Sequence, residues 1–344
     1  MVPFRFILAA TDFSAHGNNA VWRAAEMARQ SGARMGIVHV VDPAGYQVMR
    51  EWRMPSFQLD MKESRAKGQL HKLAIDVANA YGLTPSVHVK EGDVSEEVVR
   101  VAATADLLVL GRPHKRRFRD LFKARTSDQI LRAGRPPVLV ARNPVIGPYT
   151  KILVPIDFSA CSDAALHAAR RFAPEMKLQL FHALDPAGET IMREAEVPAS
   201  VVREVRARED AGTLARMRRN VTRLGLDHRA MEYAVGRGRP SRATAEHARQ
   251  NDAELMVISR TARWSFGEFL RANVSTGLLQ SSACDVLLLP RLADTEAQFQ
   301  AWAAHPSKAI GPSGSHSGGP GLVAGAAAAA SLRHDSHFNW LGRP

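Results

Sequence analysis

The residues of this 344-residue chain that are best suited to chemistry lie in one stretch, residues 111–127, which reads GRPHKRRFRDLFKARTS. It directly follows Leu107–Leu110, an apolar run typical of a buried strand. Strands that end in glycine and lead into a helix often hold a phosphate group, because glycine allows close backbone approach and a helix N-terminus favours negative charge. This loop, however, is filled with arginine, lysine and histidine. The stretch therefore indicates a phosphate site, a degraded one, or a basic surface loop.

Motifs of several other chemistries are absent. No G-x4-G-K-[ST] loop, G-x-S-x-G elbow or H-E-x-x-H motif occurs, which argues against a P-loop ATPase, an α/β-hydrolase and a zinc protease. The two cysteines, Cys161 and Cys284, are far apart and have no metal-ligand spacing around them. We therefore expect no metal site and no disulfide framework, and a cytoplasmic location. No apolar run approaches the roughly 20 residues that span a bilayer.

The chain is strongly basic, with a formal net charge of +12. This balance favours anionic partners such as nucleotides, nucleic acid or membrane surfaces, although an ordinary basic surface explains it equally well. A helix expected over residues 201–224 concentrates arginine, but no aromatic residues are interleaved there for base stacking. We therefore do not expect nucleic-acid binding, while a nucleotide or an acidic partner stays open.

The sequence contains an internal duplication. FILAATDFSA at Phe6–Ala15 returns as KILVPIDFSA at Lys151–Ala160, and ADLLVLGR at 105–112 returns as AELMVISR at 253–260. In the same order, HVVDPAG returns as HALDPAG, and PPVLVAR is echoed by CDVLLLPR. Such a repeat identifies two copies of one domain. The predicted parts are copy 1 over residues 1–145, copy 2 over residues 149–292, and a tail over residues 293–344.

Each copy alternates short apolar runs with amphipathic helical patterns. Phe6–Thr11 is typical of a buried strand, and Ser14 is suited to cap a helix over Ala20–Gln30. The alternation predicts an α/β fold with a parallel sheet covered by helices on both faces. Ligands of such sheets bind beyond the carboxyl ends of the strands, where the strand order reverses. The residues that fall at these ends are Asp12, Gly111, Asp157 and Ser259.

The tail differs in composition from both copies. Pro306–Pro320 is rich in proline, glycine, serine and histidine, and Ala326–Ala330 is a run of alanine. Because this composition cannot bury an apolar core, we predict that residues 293–344 are disordered.

Taken together, the motifs resemble the universal stress protein family. The resemblance rests on TDFS or IDFS after the first strand, HVVD or HALD after the second, KEGD, ADLLVLG and the terminal PPVLVAR, and it covers residues 3–292 as two tandem copies. It implies a five-stranded parallel, Rossmann-like sandwich in each copy. It also implies an internal pseudo-dimer in which Val138–Ala141 pairs with Val286–Leu289, and leaves further self-association open. The implied role is stress response through binding rather than catalysis.

Family members divide into ATP binders and others, and the binders carry a G-x2-G-x9-G-[S/T] phosphate loop after the fourth strand. In copy 1 the matching positions hold Gly111, His114 and Ala124-Arg125, followed by Thr126 and Ser127. In copy 2 they hold Ser259, Ala262 and Ala272-Asn273, with Ser275 beyond. A side chain where the backbone must close on phosphate strains or blocks such a loop. The resemblance therefore implies a phosphate loop degraded in both copies.

The loop of copy 1 has three interpretations. Its basic side chains, such as Arg112, Lys115 and Arg125, hold the phosphate of ATP or another adenine nucleotide, since arginine binds phosphate bidentately. Alternatively, the loop binds another acidic ligand or a partner protein, or it binds nothing. The alternative function to binding alone is a weak ATPase or autophosphorylating enzyme, with Thr126 or Ser127 as the acceptor.

The resemblance also marks residues on the base and sugar side of a nucleotide. Asp12 and Asp157 stand at the position that approaches the base and sugar in binders. Val40 and Ala183 match the position whose backbone reads adenine. Because aspartate also caps turns, and because backbone readout requires no particular side chain, these four residues are compatible with binding and with its loss.

Overall fold

The computed structural model describes residues 4–41, 57–112, 136–260 and 282–291. For residues 57–62, 95, 260 and 291 only the backbone is described. Within these ranges no helix has the length and apolar character needed to cross a membrane. The tail over residues 293–344 lies outside them, so its disorder stays a prediction.

Copy 1 alternates strands and helices as predicted. Its described elements are β1 (Phe6–Ala10), α1 (Ala15–Ser31), β2 (Arg34–Val41), α2 (Phe57–Tyr81), β3 (Ser86–Glu91), α3 (Val94–Ala102), β4 (Leu107–Gly111) and β5 (Val138–Ala141). Most of the basic loop lies between β4 and β5, outside the described residues.

Copy 2 repeats the order of strands. Its described elements are β6 (Ile152–Pro155), α4 (Ala160–Phe172), β7 (Leu178–Leu184), α5 (Ala187–Glu194), α6 (Ala199–Arg223), β8 (Met231–Arg237), α7 (Pro240–Gln250), β9 (Leu255–Arg260) and β10 (Asp285–Arg291). The short helix α5 begins within the repeated DPAG segment, whose counterpart in copy 1 lies outside the described residues.

The ten described strands form one sheet, in the order β3-β2-β1-β4-β5-β10-β9-β6-β7-β8. Neighbouring strands within each copy are parallel. The copies meet through β5 and β10, which are antiparallel and place Leu139 opposite Leu287. The expected pairing of the fifth strands within the chain is therefore confirmed. Because this junction is antiparallel, the strands of the two copies end at opposite edges of the sheet.

Helices cover both faces of the sheet. On one face α1, α2, α4 and α6 pack onto a single apolar cluster that runs through both copies and includes Ile7, Leu70, Leu166, Val221 and Leu287. On the other face α3 and α7 cover two smaller clusters. Burial of both sheet faces explains why the strand sequences are almost continuously apolar.

Local signals set the limits of α1. The hydroxyl of Ser14 accepts the backbone N–H of Gly17 at 3.1 Å and so caps the first turn. Gly32 ends the helix in the left-handed region with φ +66°. The helix therefore begins directly after its cap, at Ala15, and not at Ala20 as the apolar pattern alone predicts.

A buried ionic cluster joins the copies beside β5 and β10. Asp285 is fully buried, and its Oδ1 accepts the backbone N–H groups of Arg142 at 2.7 Å and Asn143 at 3.1 Å. Its Oδ2 accepts the Tyr149 O–H at 2.6 Å and lies 3.1 Å from Nε of Arg23, an ion pair in which the N–H is not aligned for a hydrogen bond. Both oxygens are thus compensated, as a buried charge requires.

Candidate functional site

The carboxyl ends of the strands bring four predicted residues of copy 1 to one edge. Ala10, the last residue of β1, pairs with Val38 of β2 on one side and Leu110 of β4 on the other. The strand order reverses between β1 and β4, which is where sheets of this kind bind ligands. The predicted residues that follow these pairs at the edge are Asp12, Val40, Gly111 and Arg112.

A strained turn connects β1 to α1. Phe13 has φ +61°, a left-handed conformation that is uncommon for a bulky side chain. Oδ1 of Asp12 accepts the backbone N–H of Ser14 at 3.0 Å. A β-carbon on Gly17 would lie 2.6 Å from the same Asp12 oxygen, so the carboxylate rests against the first turn of α1. The turn thus fixes Asp12 at the edge while its side chain stays exposed.

A histidine at the end of β2 supports this turn. Nδ1 of His39 lies 2.8 Å from the carbonyl oxygen of Thr11, which can only accept, so Nδ1 carries the proton. The imidazole packs against Phe13 with 4.3 Å between ring centroids. Burial lowers the pKa of His39, and the Thr11 carbonyl and Asp12 only partly oppose this effect. His39 is therefore neutral near pH 7.

Gly111, the last residue of β4, lies at this edge beside the first turn of α1. A β-carbon at this position would lie 2.2 Å from the carbonyl oxygen of His16 and 2.9 Å from the backbone nitrogen of Gly17. The end of β4 thus packs directly on the first turn of α1. This contact explains the glycine without any ligand.

Two arginines lie side by side at the ends of β4 and β5. Gly111 pairs with Ala141, and Arg112 and Arg142 are the residues that follow. Nη1 of Arg142 donates to the carbonyl oxygen of Ser282 in copy 2 at 2.6 Å. Burial first, and then the charge of Arg112, lower the pKa of Arg142. Sequence reasoning did not single out Arg142, although both PPVLVAR in copy 1 and CDVLLLPR in copy 2 end in arginine.

Copy 2 repeats the strained turn. Phe158 has φ +62°, Oδ1 of Asp157 accepts the backbone N–H of Ser159 at 3.0 Å, and Nδ1 of His182 lies 2.7 Å from the carbonyl oxygen of Ile156. Partial burial would raise the pKa of Asp157, but hydrogen bonds, chiefly from Ser159, lower it below its usual value. The turn therefore holds this aspartate ionised at neutral pH.

The predicted candidate Ser259 stands where copy 1 has Gly111. It pairs with Leu289 of β10, as Gly111 pairs with Ala141 of β5. Its hydroxyl is buried and has no hydrogen-bond partner among the described residues. A buried unsatisfied hydroxyl costs roughly 1–3 kcal/mol. Ala183, the other candidate of this copy, lies partly buried near the end of β7.

Copy 2 also carries an ion-pair cluster around Glu189 of α5. Its carboxylate accepts two hydrogen bonds from Arg206, one of them 2.7 Å from Nε, and lies 2.7 Å from Arg193. Arg237, at the end of β8, lies 3.9 Å from Glu189 and 2.7 Å from Asp210. None of the residues of α5 is buried, so the pairs of Glu189 with Arg206 of α6 and Arg237 of β8 hold it in place, whereas the Arg193 pair lies within α5.

Six predicted site residues lie outside the described part of the chain. They are His114, Lys115, Arg125, Thr126, Ser127 and Ser275. Their roles stay predictions. Within the described residues, no group of three or more His, Cys, Asp or Glu side chains is arranged to hold a metal ion.

Comparison with known proteins gives a family and a fold. The model of the universal stress protein family matches twice, at residues 3–142 and 148–290. A universal stress protein from Archaeoglobus fulgidus is 16% identical with a TM-score of 0.60, over 83% of this chain and 96% of its own. A functionally unknown protein from Pseudomonas aeruginosa is also 16% identical, with a TM-score of 0.54, over 88% and 98%. These identities show the fold alone, and no curated protein matches the chain.

Proposed function

The chain belongs to the universal stress protein family, with two copies of the family's domain in tandem, and from this premise we propose that it is a stress-response protein that acts by binding rather than by catalysis. The binding edge is the one formed in copy 1 by Asp12, Val40, Gly111 and Arg112. We place the protein in the cytoplasm, in keeping with Cys161 and Cys284, which form no disulfide with each other.

The observation that carries the proposal is the left-handed phenylalanine in both copies. Phe13 has φ +61° and Phe158 has φ +62°. Such a residue costs on the order of 1–3 kcal/mol, persists only where its surroundings impose it, and is found preferentially at ligand sites. Each stands beside an aspartate at a carboxyl edge. The repetition of this strained arrangement supports use of the edge for binding.

An adenine nucleotide is the first ligand to test. Residues that match the base, sugar and first phosphate-loop positions of the family's ATP binders share one edge of copy 1. The retained Gly111 is weak support, since its packing against α1 already explains it. Thr126 and Ser127, the acceptors of the alternative autophosphorylating function, lie outside the described residues. The described residues of the edge therefore support nucleotide binding, and turnover is left to the assay.

The test combines ligand identification with a turnover assay. The purified protein is denatured, released small molecules are identified by absorbance and mass spectrometry, and ATP hydrolysis is followed in parallel. We expect ATP or a released ligand to raise the Tm of the intact protein without being consumed. Asp12→Ala should reduce this rise, whereas Asp252→Ala, at an exposed ion pair with Lys151, should not. ATP hydrolysis that Asp12→Ala abolishes would overturn the proposal.

A further inference from the structure

We infer that the outer face of the second half of α6 is a docking surface for an acidic protein segment. The surface consists of four exposed arginines, which we call the arginine face of α6: Arg216, Arg218, Arg219 and Arg223. The inference goes beyond the proposed function, because this face lies on copy 2 and its ligand is a macromolecule. The proposed binding edge lies on copy 1 and takes a small molecule.

The charge of this face distinguishes copy 2 from copy 1. The helices α2 and α6 both precede the third strand of their copy, and each contains a glycine near its middle, Gly68 and Gly212. After the glycine, α2 has one lysine, one histidine and one aspartate, whereas α6 has four arginines and no acidic residue. The shared fold therefore does not require this charge, which copy 2 carries alone.

The packing of α6 directs the arginines outward. Met217 and Val221 are fully buried in the apolar cluster between α6 and the sheet. Residues four apart lie on one face of a helix, so these two define its inner stripe. All four arginines lie outside that stripe and are exposed. At 1.5 Å per residue, the face extends about 10 Å along the helix from Arg216 to Arg223.

Three members of the arginine face of α6 have no carboxylate partner in the described part of the chain. The described ion pairs that arginines of α6 form are those of Arg206, Arg208 and Arg223. An incoming carboxylate therefore has no internal carboxylate to displace at the other three arginines. Such a surface attracts an acidic partner and excludes a basic one.

Two aromatic rings hold two of these arginines in place. The guanidinium carbon of Arg216 lies 3.9 Å from the ring centroid of Phe158, and that of Arg218 lies 5.7 Å from the ring centroid of Tyr233. A guanidinium group stacked on a ring keeps its N–H groups at the rim of its plane, where a carboxylate can accept them. Because the rings already restrict these side chains, less freedom is lost when a partner binds.

Arg171 of α4 extends the positive charge beyond α6. Burial lowers the pKa of His167 in the same helix, Asp163 opposes this effect, and the charges of Arg171 and Arg223 lower the pKa further. Both arginines therefore lie close to the His167 ring. Asp163, the acid beside them, already pairs with Arg223.

An acidic protein segment fits this face better than nucleic acid or a membrane. Arginine clusters recognise acidic segments through charge-assisted, bidentate hydrogen bonds. Base stacking needs open aromatic faces, but Phe158 and Tyr233 each have an arginine over the ring. Helices that bind membrane surfaces insert apolar side chains, whereas the apolar stripe of α6 is buried in the core.

The test is fluorescence anisotropy of a labelled poly-glutamate peptide titrated with the full chain at two salt concentrations. We expect binding that weakens as the salt concentration rises. The triple variant Arg216→Gln, Arg218→Gln, Arg219→Gln should lower the affinity about tenfold or more. Replacement of the same three arginines by lysine keeps the charge but loses the planar fork, so the affinity should fall between.

The matched control removes three charges from the corresponding helix of copy 1, through Arg65→Gln, Lys67→Gln and Lys72→Gln at exposed positions of α2. It should keep the affinity of the parent protein. A melting curve for each variant shows whether it is folded. Arg219→Glu changes an arginine outside the described ion pairs and ring contacts of α6. It should also weaken binding, and it tests the face even if the triple variant unfolds.

The inference is overturned if the peptide does not bind or if the two glutamine triple variants weaken its binding equally. It is also overturned if poly-uridylate RNA or phosphatidylserine vesicles bind more tightly than the peptide and depend in the same way on the arginine face of α6. The proposed function is tested separately, with ATP and Asp12→Ala in copy 1, so failure of one leaves the other standing.

Discussion

The carbonyl oxygen of His16 would lie only 2.2 Å from a β-carbon placed on Gly111. Ordinary contacts between a β-carbon and oxygen are much longer, and the blocking atom belongs to the backbone of α1, which cannot rotate away as a side chain can. Gly111 is the one glycine of the family's phosphate motif that the chain retains. Its packing against α1 is a sufficient reason for a glycine here.

Gly111→Ala should therefore destabilise the protein even without ligand. We expect a loss of about 1–3 kcal/mol in the free energy of unfolding, the usual range for overpacking a tight site, measured by urea denaturation. Gly212→Ala is the control, because a β-carbon on this exposed residue of α6 meets nothing within 4 Å. It should stabilise the helix by up to about 1 kcal/mol. Equal stability of Gly111→Ala and the parent would show that α1 can move aside.

The features that the sequence predicts are those encoded locally or by repetition. The duplicated TDFS and IDFS segments located the turns that hold Asp12 and Asp157, and the apolar runs located the strands. The pairing of Val138–Ala141 with copy 2 followed from the family resemblance. Because the strand ends of a parallel sheet converge on one edge, the order of the apolar runs is enough to place Asp12 and Gly111 together.

Side-chain contacts between distant segments could not be predicted. Arg216 of α6 lies over the ring of Phe158 at 3.9 Å, although the two residues are far apart in sequence. No periodicity records such a contact, because it depends on how α6 crosses the sheet. The same holds for Arg142, whose significance depends on the register of β4 and β5 and on a carbonyl group of copy 2.

Tyr149→Phe should weaken the junction between the copies. The mutation removes the O–H that donates to Oδ2 of the buried Asp285 at 2.6 Å. A hydrogen bond to a buried charge contributes about 1.5–3 kcal/mol, and we expect a loss of that size at pH 7 in urea denaturation. Tyr81→Phe, at a half-buried tyrosine of α2, is the control. If both variants lose the same free energy of unfolding, the hydrogen bond to Asp285 contributes no more to stability than the hydroxyl of Tyr81.

Tyr149 also predicts that the protein loses stability at alkaline pH. Burial, followed by the charge of Asp285, raises the pKa of Tyr149 well above its ordinary value. The folded protein keeps the phenol protonated, whereas the unfolded chain ionises near about pH 10. Its contribution is therefore complete below that pH and declines as the pH rises further. Between about pH 8 and pH 10.5, the urea midpoint should fall less for Tyr149→Phe than for the parent protein. An equal fall in both proteins would contradict this prediction.

The lowered pKa of His39 predicts that the protein loses stability at acidic pH. Its pKa is lowered by burial, so the folded state favours the neutral ring. In the unfolded chain, histidine takes up a proton at about pH 6.5. Because the pKa of His39 in the folded state is lower, stability is lost as the pH falls from about 6.5 through that lower pKa. His39→Gln should flatten the pH dependence of the urea midpoint between about pH 7 and pH 5. His71→Gln, at an exposed histidine of α2, should keep the slope of the parent.

Glu189→Gln should loosen the attachment of α5 to α6. The neutral amide cannot form the ion pair with Arg206 that ties α5 to α6, and none of the residues of α5 is buried. Charge-assisted hydrogen bonds contribute about 1.5–3 kcal/mol each, so hydrogen exchange over Ala187–Glu194 should accelerate by about tenfold or more. Glu204→Gln, which removes an exposed pair worth about 0–1 kcal/mol, should leave that exchange unchanged. Undiminished protection of α5 in Glu189→Gln would mean that its backbone, and not this cluster, keeps it in place.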